Sequence, residues 1–130
     1  MNFHTKYLPS LPDEVAPDGS DVRVLLGLES GAMSHFVFEA GNISSAVLHK
    51  TVEEIWFILT GSGEMWRRYG ETEKVVSLEP GVCLTIPLNT CFQVRSLGNK
   101  DLSLVAVTMP PWPGDQEACL VEGKWKPTIP

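Results

Sequence analysis

The chain has only three cysteines, Cys83, Cys91 and Cys119, and no C-x-x-C pair, which argues against a disulfide framework and against a four-cysteine zinc site. It has no long apolar run either. The longest, near VLLGL, IWFIL and LVAV, fall far short of the roughly 20 residues a membrane-spanning helix needs. Basic charge is scarce: ten Lys and Arg against sixteen Asp and Glu give a net charge of −6, and no basic cluster is longer than Arg67-Arg68. An acidic chain without a basic patch lacks the electrostatic footprint of a nucleic-acid binder and is repelled by anionic membranes, so neither partner is expected. The opening MNFHTKYLPSLPDE has no apolar core of the signal-peptide kind, and a cytoplasmic protein is expected. Helix signals are nearly missing, since only DQEACLVEG could form a helical turn and Gly and Pro flank it.

What the chain does have is strand signals and turns. Its 130 residues are 43% hydrophobic, enough for one domain with a sizeable core. Short β-branched or aromatic runs such as VRVLLGLE, SHFVFEA, EIWFILTG, VCLTIP and LSLVAVTM recur between turns such as EAGN, TGSG, LEPG and SLGNKD. That rhythm predicts an all-β sandwich or barrel. Residues 1–20 carry Pro9, Pro12 and Pro17, and residues 111–130 are again rich in proline, so both ends are read as extended arms with few regular hydrogen bonds, flanking a β-domain over residues 21–110.

Two segments carry the chemistry. In GNISSAVLHKTVEEIWFILTG, five residues separate Gly41 from Val47, one separates Val47 from His49, four separate His49 from Glu54, and six separate Glu54 from Gly61. In GVCLTIPLNTCFQV, five residues separate Gly81 from Pro87, and Asn89 and Phe92 follow. Both spacings resemble the two motifs of the cupin family, with Val47 where the first motif has its first histidine, Asn89 where the second has a glycine, and Phe92 where it has its histidine. The resemblance spans residues 41–96. It implies a single cupin-type antiparallel β-barrel of the jelly-roll or double-stranded β-helix kind, with the extended N- and C-terminal arms outside it. It also implies a homodimer paired through exposed sheet edges, and a divalent metal, Mn, Fe, Zn or Ni, held inside. Of the four implied ligands only His49 and Glu54 survive, so an ion would be weakly held.

Alternation places Val47 and His49 on one face of their strand, and Glu54, Trp56 and Ile58 on one face of the next. The later strand is open to two registers: alternation points Phe92 and Val94 inward, whereas a one-residue bulge would bring in Cys91 and Gln93. His49 and Glu54 are candidate catalytic residues or metal ligands, because an imidazole and a buried carboxylate can exchange protons, but an inherited hydrogen-bonded interior pair fits the pattern too. Val47, Trp56 and Phe92 make either an apolar ligand wall or simple core. His35, Gln93, Arg95 and Arg68 are candidates for the mouth of the barrel, where Arg95 would suit a carboxylate or phosphate; the alternative for each is a solvated strand face. Trp112, held between prolines, is either a lid or, with Trp125, a clamp for the C-terminal arm. Together these readings favour a protein binding a small metabolite in its barrel. The alternative is a metal-dependent isomerase, epimerase, cyclase or dioxygenase acting on a small polar or aromatic substrate, and fold alone does not choose between them.

Overall fold

The computed structural model describes residues 2–128. Its strands are β1 (Glu14–Val15), β2 (Asp21–Gly27), β3 (Ala32–Phe38), β4 (Ala46–His49), β5 (Glu53–Thr60), β6 (Ser62–Tyr69), β7 (Thr72–Leu78), β8 (Cys83–Ile86), β9 (Cys91–Leu97), β10 (Leu102–Met109) and β11 (Ala118–Val121). The period-2 patterning explains them: β5 buries Glu54, Trp56 and Ile58 and leaves Ile55, Phe57 and Leu59 outside, and β10 buries every second residue from Leu102 to Thr108.

The strands form two sheets, one ordered β1-β2-β3-β10-β5-β8 and the other β11-β4-β9-β6-β7. Every pairing is antiparallel. The sheets face each other across a core that includes Phe38, Trp56, Ile58, Met65, Leu104 and Val94. They do not close on one another, so the expected barrel takes the form of a two-sheet jelly roll whose edges include the two-residue β1 and the four-residue β8.

Turn chemistry fixes the strand ends. Gly61 has φ 83°, and a Cβ there would fall 2.5 Å from the Asp101 carbonyl oxygen, so the β5–β6 reversal requires glycine. Asn89 has φ 63°, the left-handed conformation that Asn tolerates best after Gly, so the glycine-like backbone of the second motif is retained without the glycine.

The arms are more ordered than their prolines suggest. β1 pairs with β2 inside the N-terminal arm, and β11 runs along β4 with Ala118 opposite His49 and Leu120 opposite Val47. Pro110, Pro111 and Pro113 precede β11 and Pro127 follows it, so no proline interrupts its ladder with β4.

Glu117 latches this arm. Its buried carboxylate accepts the backbone N–H of Lys50 at 2.9 Å, that of Thr51 at 2.8 Å, and the Thr51 hydroxyl. Burial opposes its ionisation, but the Thr51 and Lys50 hydrogen bonds outweigh that, aided by His49, and hold the carboxyl below its ordinary value of 4.5. A depressed carboxylate stabilises the fold above its unfolded value and loses that contribution as pH falls through the folded one. The urea midpoint is therefore expected to fall in this acid window, and to fall less steeply in Glu117→Gln. Equal slopes for the two proteins would remove Glu117 as the latch.

Candidate functional site

The chain crosses from one sheet to the other between β4 and β5, and this brings His49, at the end of β4, opposite Glu54, near the start of β5. Both side chains are buried. His49 Nδ1 lies 2.9 Å from Glu54 Oε2, yet it has no aligned hydrogen-bond partner, so the contact is a close polar approach with the oxygen off the N–H direction. The other carboxylate oxygen, Oε1, accepts the indole N–H of Trp56 at 3.1 Å. Two residues along β5, that indole thus orients the acid.

Around the pair the walls are apolar. Val47 and Phe92 face each other as register partners of β4 and β9. The Phe92 ring meets Trp56 edge-on at 5.9 Å and His49 at 5.2 Å. Trp112 packs edge-on against His49 from the other side, with centroids 4.9 Å apart, and Phe36 stacks on Trp56 at 6.3 Å. These groups line a cavity of about 260 Å³ between the sheets. Trp112 lines the cavity, while Trp125 is held with the C-terminal arm by its backbone hydrogen bond to Gln93.

Val47, His49, Glu54, Trp56 and Phe92 therefore converge. The other sequence candidates do not, and each has a reason. β9 keeps plain alternation, with Phe92 and Val94 in the core and Cys91 and Gln93 on its opposite face. Gln93 is fully buried there, bonded to Ser44 and to the Trp125 backbone. Arg95, on the strand's half-buried end, pairs with Glu64 and lies over the Trp125 ring at 4.4 Å. Arg68 sits over Trp66 at 5.6 Å. His35 is in register with Arg23 and Val105, which puts it on the face of β3 away from the cavity that Ser34 and Phe36 line. Burial, and then the Arg23 charge, hold its imidazole below the ordinary 6.5.

The sequence reading missed Asp18. It sits in the turn between β1 and β2, buried, and lines the same cavity. Its Oδ1 accepts the Ser20 N–H at 3.0 Å and the Ser20 hydroxyl at 2.6 Å. Burial nevertheless pushes the carboxyl above its ordinary 3.8; the Ser20 bonds oppose this, Glu54 adds repulsion and His49 attraction. Ala-Pro-Asp-Gly-Ser reads locally as a turn, and no local signal marks its aspartate as interior.

The four-donor metal site of the cupin motifs does not fit these residues. Val47 and Phe92 offer no donor, and among the described residues no three His, Cys, Asp or Glu side chains converge to hold an ion. His49 and Glu54 are instead engaged with each other and with Trp112 and Trp56.

Solved structures resemble the chain strongly in fold and weakly in sequence. The capsular polysaccharide assembling protein CapF from Staphylococcus aureus superposes with a TM-score of 0.73 at 15% identity, over 85% of this chain and 34% of that one. The chain thus spans about a third of that protein. An uncharacterized conserved protein with a double-stranded beta-helix domain from Klebsiella pneumoniae matches with a TM-score of 0.66 at 16% identity, over 85% and 90% of the two chains. Oxalate decarboxylase from Bacillus subtilis, a protein with Mn(II) centres, matches with a TM-score of 0.71 at 14% identity, over 86% of this chain and 30% of that one. No protein-family model and no curated protein sequence matches the chain.

Proposed function

We propose, starting from a chain of small cupin type, that it binds a small organic ligand in the cavity between its two sheets, with the His49–Glu54 pair as the polar anchor. One observation carries this reading: polar side chains, His49, Glu54 and Asp18 among them, are kept buried at the wall of a largely apolar, aromatic-lined cavity of about 260 Å³. Buried polar groups left without full partners are expensive, and a bound ligand would supply them. Any divalent ion would be weakly held, through His49 and Glu54 alone. A thermal-shift panel of small aromatic and aliphatic metabolites should yield compounds that stabilise the protein, since a ligand at about 100 times its Kd adds about 2.7 kcal/mol. Ser34→Trp, which fills the cavity from β3, should abolish the shift. A panel without hits, or hits indifferent to that variant, would overturn the proposal.

The second reading, a metal-dependent enzyme, draws support from the Mn(II) centres of the fold's B. subtilis representative. Metal analysis of protein purified without added metal separates the two: near-stoichiometric Mn, Fe, Zn or Ni that disappears in His49→Ala would favour the enzyme.

A further inference from the structure

The cavity's charged groups are nearly all of one sign. Asp18 and Glu54 are buried in its wall, and Glu14 of β1 stands exposed beside them. Among the described residues no lysine or arginine lines it, and His49 is the one group able to carry positive charge there. The nearby arginines are committed elsewhere: Arg23 donates to the carbonyls of Pro9 and Ser10, Arg67 to that of Thr85, and Arg95 pairs with Glu64.

The apolar part of the wall is aromatic. Phe36, Trp56, Phe92 and Trp112 all contribute to it. Aromatic faces are negative at their centres and attract cations, most strongly where water is excluded. Two polar features also point to a missing partner. His49 Nδ1 is buried without an aligned hydrogen bond, and both Ser20 bonds to Asp18 fall on Oδ1, which leaves Oδ2 free of them.

Building on the ligand-binding reading above, we propose that the cavity takes a positively charged organic ligand, an amine or quaternary ammonium on a small apolar skeleton. The ammonium group would lie between the Asp18 and Glu54 carboxylates, and the skeleton against the aromatic wall. An anionic ligand would meet two buried carboxyl groups with only His49 to receive it, which is the kind of juxtaposition that rejects a competitor. The raised Asp18 carboxyl fits this placement, since burial is the main cause of its rise and a cation beside it would offset that burial.

Three compounds of nearly matched skeleton test this by tryptophan fluorescence titration at neutral pH: 2-phenylethylamine, 2-phenylethanol and phenylacetate. The amine is expected to bind at least about 10-fold more tightly than the alcohol, and phenylacetate more weakly than either. Glu54→Gln and Asp18→Asn should each cut the preference for the amine over the alcohol about 10-fold, and a far-UV circular dichroism spectrum matching the parent's certifies that the variants are folded. Equal binding of amine and alcohol, tighter binding of phenylacetate, or a preference indifferent to both variants overturns the inference and leaves the ligand-binding reading standing. Silence from all three compounds, where the thermal-shift panel yields other cavity ligands, overturns the inference alone. Silence in both experiments overturns both.

Discussion

Replacing Val47 and Phe92 together by histidine is expected to raise affinity for a divalent first-row metal by at least roughly 100-fold, given that even the hydrogen-bond partners of metal ligands are worth about 10- to 100-fold. The expectation rests on register. Val47 and Phe92 are directly opposed on β4 and β9, both on the inward face, and His49 and Glu54 border the same cavity. Two added imidazoles would complete a donor set of three nitrogens and a carboxylate, the number and kind of donors a first-row divalent ion takes. The metal-free double variant should be less stable than the parent, because two polar rings replace well-packed apolar groups at 1% and 2% exposure. Metal should then restore stability, since a site absent from the unfolded chain couples binding to folding. Competition against a chelator, with unfolding followed in parallel, reads both effects. If the double variant binds no better than the parent, or the parent itself keeps metal through prolonged dialysis against chelator, the account of a two-donor remnant fails.

Much of this site could be read from the sequence because it lies on strands with one apolar face. The likeness of the two motifs to those of the cupin family paired His49 with Glu54 and set Val47 and Phe92 around them, and the retained turn at Asn89 kept the second motif in register. β9 was harder for a physical reason. Cys91, Phe92, Gln93 and Val94 are all buried, so the strand has no solvent face from which its inward side can be told. Its second cover is the C-terminal arm, which is some thirty residues away in sequence and reads as proline-rich coil. The same arm explains why Gln93 and Arg95, polar residues beside a motif, resembled ligand contacts and serve instead to hold Trp125. Asp18 was illegible for the opposite reason, because a turn sequence became interior only once the N-terminal arm folded against the cavity.

The largest stability effect is expected at that arm. Gln93→Leu should destabilise the protein by about 3 to 5 kcal/mol, from three orphaned partners worth about 1 to 3 kcal/mol each and not fully additive. The side chain amide is wholly buried and works as a two-sided bracket. Its Nε2 donates to the Ser44 carbonyl at 2.9 Å and to the Trp125 carbonyl at 2.7 Å, and its Oε1 accepts the Trp125 N–H at 2.9 Å. Leucine has similar bulk but no hydrogen-bonding atoms, so it would leave those backbone groups desolvated and unpaired. Space offers no escape either: a Cβ on Gly123 would lie 2.3 Å from Gln93 Oε1 and 2.6 Å from the Ala46 Cβ, so the arm is already pressed onto β4 and β9. Once the bracket is gone, Trp125 should lose its seat beneath Arg95, and β11 its hold on the outer face. Urea unfolding measures the energy, and protease cleavage within residues 111–128 reports whether the arm comes off before the rest of the fold. A loss below about 1 kcal/mol, with no gain in cleavage, would show that water or a rearranged backbone satisfies those groups and that the arm is held by the β11–β4 ladder, the Thr128–Ile43 hydrogen bonds, its apolar contacts and Glu117.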